Sequence, residues 1–300
     1  AIGYAVERQQ FGRAIAQFGL IKQKIAEMTV RCFVGDAMVY RTLGDVDRAL
    51  EQVAENDLSQ VLKVIEGYAV ECSINKVWTS EALAFVVDEA LQVYGGYGYS
   101  KEFPAERAFR DARITRIYEG TNEINRLVIP TRLLKNPALS QLWNTEQLYF
   151  APSELSSDSR VTNARQLLSS SKQLAIYLLA TAKSVYRDSL SEEQEVMGQI
   201  AEIAIDTYAL ESTILRTEKI FAARRGGDGD VFADIVNVYA FDAANRIGHA
   251  AVRVLAAFPE EQDTSKVREL IKSLPQEQFD TIRASRKIAD SVIKAGRYHL

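Results

Sequence analysis

One segment of the sequence, RITRIYEGTNEINR, places a carboxylate at a glycine hinge before a predicted helix. Glu119 stands between Tyr118 and Gly120. Thr121 is a typical helix N-cap residue, and Glu123 falls in the first turn, where the helix dipole favours negative charge. A carboxylate between a helix N-terminus and an apolar cleft feels opposing effects on its pKa, which is how a general base is tuned. Taken alone, an exposed loop glutamate is the simpler interpretation.

A second segment, ERQQFG at residues 7–12, combines an arginine with an aromatic side chain. The guanidinium of Arg8 offers a fork of donors that suits a phosphate, and Phe11 could lie against a planar ring. The alternative is a helix that ends at Gly12, with the arginine near the negative end of the helix dipole. Both interpretations remain open for this segment by itself.

A third segment, QVYGGYGY at residues 92–99, is rich in glycine. Glycines allow a backbone to approach a ligand closely. The segment is not a dinucleotide-binding fingerprint, because no predicted strand precedes it and the glycine spacing differs. A tight turn between two helices is the alternative interpretation.

Two further charged segments have simpler interpretations. In KVWTSEA, Lys76 and Glu81 are predicted to lie on a helix face or to form a structural ion pair. The segment RRGGDGD at residues 224–230 could attract a phosphate, but a solvated turn between two helices is the preferred interpretation. No metal site is predicted.

Helical periodicity dominates the elements that must position these segments. Apolar residues recur at spacings of three or four, and no β-alternation bounded by turn residues is present, so the predicted fold class is all-α. The clearest stripes contain Ile21, Ile25 and Met28; Val61, Ile65, Tyr68, Ala69 and Cys72; Val196, Ile200, Ile203, Ala204 and Tyr208; and Phe279, Ile282 and Ile288. Pro130 is expected to kink or end the helix after Thr121, near Val128.

The periodicity lapses over residues 136–160, where proline and serine are frequent. This connector divides the chain into a helical bundle at 1–135 and a second helical domain at 161–300. Each part is expected to have its own apolar core. The opening residues are predicted to be the tail of a helix, without a signal-peptide pattern.

Composition narrows the functional classes. A net charge of −4 and a pI near 5.5 argue against a nucleic-acid-binding protein. No apolar run approaches the roughly 20 residues of a membrane span. Cys32 and Cys72 are isolated in apolar surroundings, which predicts a packing role and a reducing compartment. The bacterial cytoplasm or the mitochondrial matrix is therefore expected, and secretion is not.

Together, the segments resemble the C-terminal helical domain of the acyl-CoA dehydrogenases, flavin enzymes that desaturate acyl-CoA thioesters. The resemblance covers residues 1–135 through ERQQFG, IAQFGLIKQKIAEM, KVWTSEA, QVYGGYGYSKEFPAERAFRDARI and RIYEGTNEINR. Residues 161–300 are similar to the additional helical domain of the very-long-chain branch, through EEQEVMGQIAEIAIDTYALESTILRTEK and DAANRIGHAA.

The resemblance implies that Glu119 removes the α-proton of the acyl-CoA while a hydride passes from the β-carbon to N5 of FAD. The backbone N–H of Glu119 and a ribityl hydroxyl would hold the thioester carbonyl, with Tyr118 and Gly120 bordering the substrate. Arg126 is assigned no definite role. The residues that the resemblance places at FAD are Arg8, Gln10, Phe11, Phe18, Ile21, Gln92, Val93, Tyr94, Gly95, Gly96, Thr121 and Glu123.

The same resemblance implies partners and one alternative function. The ERQQFG and QVYGG contacts reach the flavin of a neighbouring subunit in this family, so a homo-oligomer (a dimer or tetramer) is expected, with an electron-transfer flavoprotein as acceptor. The family has two further domains ahead of the matched region, so the 300-residue chain alone is expected to be inactive. The alternative is an assembly or scaffold protein whose second domain binds a partner protein. Membrane docking through 136–160 is disfavoured because that segment has few basic residues.

Overall fold

The computed structural model describes residues 1–54, 57–139, 158–223, 230–274 and 279–300. The helices are α1 (Ile2–Glu7), α2 (Gly19–Leu50), α3 (Leu58–Gly67), α4 (Ala69–Tyr94), α5 (Pro104–Arg113), α6 (Asn122–Lys135), α7 (Thr162–Tyr186), α8 (Gln194–Ala223), α9 (Asp230–Ala257), α10 (Ser265–Lys272) and α11 (Thr281–Ala295). The predicted all-α class is confirmed. The predicted turn at residues 224–230 lies almost wholly outside the described residues, which resume at Asp230.

One short hairpin departs from the all-helical prediction. Strands β1 (Gln9–Gln10) and β2 (Arg13–Ala14) are antiparallel, and the pair of central residues joining them is Phe11 and Gly12. Their φ angles are 50° and 79°, as a two-residue hairpin turn with both central residues in the left-handed region requires. The expectation that the first helix ends at Gly12 is therefore wrong, because α1 ends at Glu7.

The proline in α6 does not end that helix. α6 continues to Lys135 with Pro130 in its interior, so the expectation of an end near Val128 is wrong. Ile129 and Pro130 are both buried, and α6 packs against α4 and α8. Tertiary packing on both sides therefore outweighs the hydrogen bond that a proline cannot donate.

A single apolar core runs through both parts of the chain, so the expectation of two self-contained cores is wrong. α2 packs against α8 and α11 as well as against α4. At the centre, the rings of Phe33 in α2 and Phe232 in α9 lie 5.7 Å apart. The predicted connector lies largely outside the described residues, at 140–157, and the division into two domains stays a prediction.

Most predicted stripes are buried, but the third helix is an exception. Ile65 is 47% exposed, and Cys72 is also exposed although the sequence predicts a packing role for it. The reason is that the helix is interrupted at Tyr68, between α3 and α4, so these residues share no continuous helix face. Ile282 is likewise exposed, and Tyr208 is only half-buried.

Candidate functional site

The helix-mouth segment adopts the N-cap geometry that its sequence predicts. The side chain of Thr121 accepts a hydrogen bond from the backbone N–H of Ile124 at 3.3 Å, and α6 begins at Asn122. The pKa of the exposed Glu123 carboxyl is lowered by hydrogen bonds from its own backbone N–H and from the Thr121 hydroxyl. The helix N-terminus therefore favours negative charge at this mouth.

The two residues before the cap occupy the left-handed region of the backbone map. Glu119 has a φ of 54°, and Gly120 follows with a φ of 82°. A side chain at Gly120 would also place its Cβ 3.1 Å from Nδ2 of Asn125. Left-handed φ values are uncommon outside glycine and concentrate at functional sites, where the surroundings hold the conformation. The carboxylate of Glu119 is thus presented on an exposed, sharply turned backbone.

Two side chains hold this turn in place. Nζ of Lys76 in α4 donates to the Gly120 carbonyl at 2.6 Å and to Oδ1 of Asn122 at 2.7 Å. Nδ2 of Asn125 donates to the same Gly120 carbonyl at 2.9 Å. Asn122 is only 2% exposed, and its amide also meets Ser80. The turn before α6 is therefore fixed to the face of α4.

A second set of contacts begins one turn further along α6. The guanidinium of Arg126 lies 2.8 Å from a carboxylate oxygen of Glu81 in α4 and 2.5 Å from one of Glu202 in α8. The predicted ion pair between Lys76 and Glu81 is wrong: Glu81 pairs with Arg126, and Lys76 donates to Gly120 and Asn122 instead. The carboxylate of Glu81 also accepts a hydrogen bond from Nδ2 of Asn122 at 3.0 Å.

The sequence interpretation missed the site roles of Lys76, Asn122 and Glu202. Lys76 and Ser80 stand four residues apart on one helix, which puts their polar groups on a common face. That spacing was a usable signal for a polar contact surface. Glu202 lies 76 residues from Arg126, and no local pattern marks the contact.

A cavity of about 470 Å³ brings together the second and third segments, ERQQFG and QVYGGYGY. The side chain of Arg8 lies over the ring of Tyr97, 5.5 Å from its centroid. A Cβ built on Gly95 or Gly96 would meet no atom within 4 Å. The cavity is lined by Tyr4, Arg8, Gln10, Ile15, Val93, Tyr94, Gly95, Gly96 and Tyr97.

The remaining predicted site residues differ in their surroundings. Phe11 is 91% exposed, and its ring meets that of Phe18 edge-on at 6.2 Å. Gln92 is exposed, whereas Ile21 packs against the apolar core. The side chain of Val93 is 3% exposed and belongs to the core, although the residue borders the cavity. An open aromatic and polar surface therefore surrounds the glycine turn.

Two family models match parts of this chain. Residues 1–134 match a family model described as "Acyl-CoA dehydrogenase, C-terminal domain", and residues 170–272 match a second model with the same description. The chain belongs to the acyl-CoA dehydrogenase family.

Relatives of this chain extend over both matched regions. A "Probable acyl-CoA dehydrogenase" of Bacillus subtilis (strain 168) is 35% identical over 98% of this chain and 52% of its own length. The mitochondrial very long-chain specific acyl-CoA dehydrogenase of Bos taurus is 30% identical over 73% of this chain and 35% of its own length. A crystal structure of an acyl-CoA dehydrogenase complexed with FAD from Bacillus anthracis has a TM-score of 0.90 and 33% identity, covering 100% of this chain and 53% of that chain.

The chain spans about half the length of the relatives that match it across both regions. In the described ranges, no helix combines the length and apolarity needed to cross a membrane. The same ranges contain no cluster of three His, Cys, Asp or Glu side chains arranged for a metal ion.

Proposed function

We propose that this chain is the C-terminal portion of an FAD-dependent acyl-CoA dehydrogenase, in which Glu119 is the base that removes the α-proton. The observation that carries the proposal is the backbone at Glu119. Its φ of 54° presents an exposed carboxylate beside the N-terminus of α6, on a turn that Lys76 holds from α4. A base must be accessible to its substrate and fixed in place, and this turn meets both requirements.

The cavity beside the glycine turn, at Gly95 and Gly96, is proposed to hold the adenosine and phosphate portion of FAD. A Cβ built on Gly96 would meet no atom within 4 Å, so packing within this chain does not require a glycine there. Arg8 supplies a cation at the same cavity, and Phe11 supplies an exposed aromatic face. Glycine backbone, a guanidinium fork and an aromatic ring are the groups that suit a dinucleotide. Gln10, Phe18, Ile21, Gln92 to Gly95, Thr121 and Glu123 are proposed to complete the contacts.

The chemistry follows from the groups at the turn. When bound, FAD supplies the acceptor, flavin N5, for the hydride that leaves the β-carbon. The carboxylate of Glu119 takes the α-proton, and its backbone N–H donates to the thioester carbonyl with Tyr118 and Gly120 alongside. A donor at this oxygen stabilises the developing negative charge, which an α-proton of low acidity requires. Lys76 contributes by fixing the peptide that carries these groups.

Acyl-CoA thioesters are the proposed substrates, within fatty acid β-oxidation, and an electron-transfer flavoprotein is the proposed acceptor. A homo-oligomer is proposed because Phe11 is 91% exposed and Arg8 lines an open cavity, where both can meet the flavin of a neighbouring subunit. The proposed compartment is the bacterial cytoplasm or the mitochondrial matrix.

Anaerobic mixing of the FAD-loaded full-length protein with a panel of acyl-CoAs tests the proposal. Glu119→Gln should retain FAD and acyl-CoA binding but reduce flavin about 10²–10⁴-fold more slowly, because the base is lost. Glu102→Gln, which alters an exposed glutamate on the turn before α5, is the control and should match wild type. Flavin reduction in Glu119→Gln within a few-fold of wild type would place the base elsewhere.

The scaffold alternative predicts a different result in the same experiment. A wild-type protein whose flavin is reduced by no acyl-CoA, but which binds a partner protein through residues 161–300, would favour assembly over catalysis. Reduction of the wild-type flavin by any member of the panel would exclude a purely structural role.

A further inference from the structure

The second helical part of the chain is joined to α6, the helix that follows the Glu119 turn, by a partly buried ion pair. α8 packs against α6, and Glu202 of α8 lies 2.5 Å from Nε of Arg126. The side chain of Arg126 is 18% exposed and that of Glu202 is 37% exposed, so the pair is partly buried. Partial removal from water makes such a pair stronger than a fully exposed one.

Arg126 is shared between two helices from different parts of the chain. Its second carboxylate partner, Glu81, comes from α4, and one of its oxygens lies 2.8 Å from Nη2 of the guanidinium. Burial by itself lowers the pKa of Arg126, but the Glu202 and Glu81 carboxylates raise it above its ordinary value overall. Burial raises the pKa of the Glu202 carboxyl, and Arg126 opposes that effect. The guanidinium therefore remains charged and is clamped from both sides.

A chain of hydrogen bonds continues from this clamp to the turn. Glu81 accepts from the amide of Asn122 at 3.0 Å, and Asn122 in turn accepts from Lys76 at 2.7 Å. Lys76 donates to the carbonyl of Gly120, the residue next to Glu119, at 2.6 Å. A side chain on α8 is thus connected to the peptide beside the proposed base through contacts of 2.5 to 3.0 Å.

We propose that Glu202 is a positioning residue for Glu119, so that α8 of the second helical part orders the turn at the mouth of α6. The inference rests on the proposed role of Glu119 as the base. Without the carboxylate of Glu202, Arg126 keeps only its ion pair with Glu81, and this contact between α6 and α8 is lost. The first turn of α6 then gains freedom, and the base samples unproductive positions.

The test compares Glu202→Gln with wild type in the FAD-loaded full-length protein. The rate constant for flavin reduction at saturating acyl-CoA should fall about 10- to 100-fold, because small displacements of a reacting group cost this much. The acyl-CoA concentration at half-saturation should stay within about two-fold, because no substrate-binding group is removed. Amide hydrogen exchange in the peptide 117–126, measured without substrate, should become faster.

Glu218→Gln is the matched control, because Glu218 also lies on α8 and pairs with Arg165 of α7, away from α6. It should leave both the reduction rate and the exchange of 117–126 unchanged. Glu202→Asp keeps the charge with a shorter reach and should recover part of the rate. In an Arg126→Met background, Glu202→Gln should add less than a two-fold effect, because the pair is already broken.

Exchange of the 117–126 peptide at the wild-type rate in Glu202→Gln would overturn the inference, whatever the activity. An equal loss of rate in Glu218→Gln would do the same, because the effect would then be a general weakening of α8. If acyl-CoA reduces no flavin even in wild type, the proposed function fails, and the exchange measurement still decides whether Glu202 orders this turn.

Discussion

Nζ of Lys76 lies 2.6 Å from the carbonyl oxygen of Gly120, across the junction between α4 and the turn before α6. The carbonyl also accepts from Asn125, so both of its lone pairs are used. Glu119, whose φ of 54° is unfavourable for a residue with a Cβ, needs surroundings that hold its conformation, and these two donors fix the peptide group that follows it. The contact places a cation next to the peptide of the proposed base without touching its carboxylate.

Lys76→Met should lower the free energy of unfolding by about 2–3 kcal/mol, because two charge-assisted hydrogen bonds are lost and two acceptors are left without this donor. Urea unfolding measures the change. Lys22→Met is the control: Lys22 pairs with Asp290, whose side chain is 56% exposed, so its loss should cost about 1 kcal/mol or less. Equal losses in the two variants would contradict an anchoring role for Lys76.

Gly120→Ala should lower the free energy of unfolding by about 1–2 kcal/mol, because the φ of 82° at this position is unfavourable for a residue with a Cβ. The added carbon would also stand 3.1 Å from the Asn125 amide.

Gly96→Ala should behave oppositely, since its Cβ position is open: the free energy of unfolding should stay the same or rise by up to about 1 kcal/mol. FAD affinity of the full-length protein should nevertheless fall in Gly96→Ala, which isothermal titration can measure. A Gly96→Ala protein that binds FAD normally would contradict the proposed FAD cavity.

The sequence predicted the N-cap at Thr121 and the helical class because both depend on local rules. An N-cap is a contact across three residues, and periodicity is a property of a single helix. The Arg126–Glu202 pair depends instead on how α6 meets α8, which no local pattern encodes. The sequence therefore identified the candidate base but missed the side chains that hold its turn.

The prediction failed at α3 for a different reason. The predicted stripe of Val61, Ile65 and Cys72 requires one continuous helix. The helix is instead interrupted at Tyr68, and apolar side chains of α3 are exposed. Pro130 shows the converse, because burial keeps α6 helical where the local rule predicts an end. Tertiary packing decides in both cases, and it cannot be read from spacing alone.

Glu71→Gln should make the protein more stable at neutral pH, by an amount that depends on pH. Burial raises the pKa of the Glu71 carboxyl, and within the described residues its Oε2 has no hydrogen-bond partner. A raised folded-state pKa stabilises the fold below the ordinary value of 4.5, and that contribution disappears as pH rises through the folded pKa. The stability advantage of the variant should therefore grow over this window and then level off. Unfolding free energies measured from about pH 4 to about pH 8 would contradict this if the difference were constant.

Two isoleucines from similar sequence stripes should respond very differently to truncation. Ile203 in α8 is fully buried, and Ile203→Ala should cost about 2–5 kcal/mol. Ile282 in α11 is 67% exposed, and Ile282→Ala should change stability by about 0.5 kcal/mol or less. Because the core is continuous, unfolding of Ile203→Ala should remain one transition by circular dichroism and fluorescence. Two separated transitions would indicate independent cores.

The 300-residue chain alone should fold but should neither hold FAD tightly nor oxidise acyl-CoA. Its continuous core gives it the apolar burial that folding requires. The proposed flavin-facing side chains, however, are open to solvent in this chain, with Phe11 91% exposed and Glu119 exposed on its turn.

Hydrogen bonds and ion pairs at an open site compete with water at high dielectric, so Arg8 alone contributes little affinity. The chain should be purified, mixed with FAD, and followed by flavin fluorescence and by absorbance during addition of acyl-CoAs. Fluorescence should show weak or no binding, and the flavin should stay oxidised. A stoichiometric yellow protein that bleaches with substrate would show that these residues suffice for the site, and the argument from exposure would be wrong.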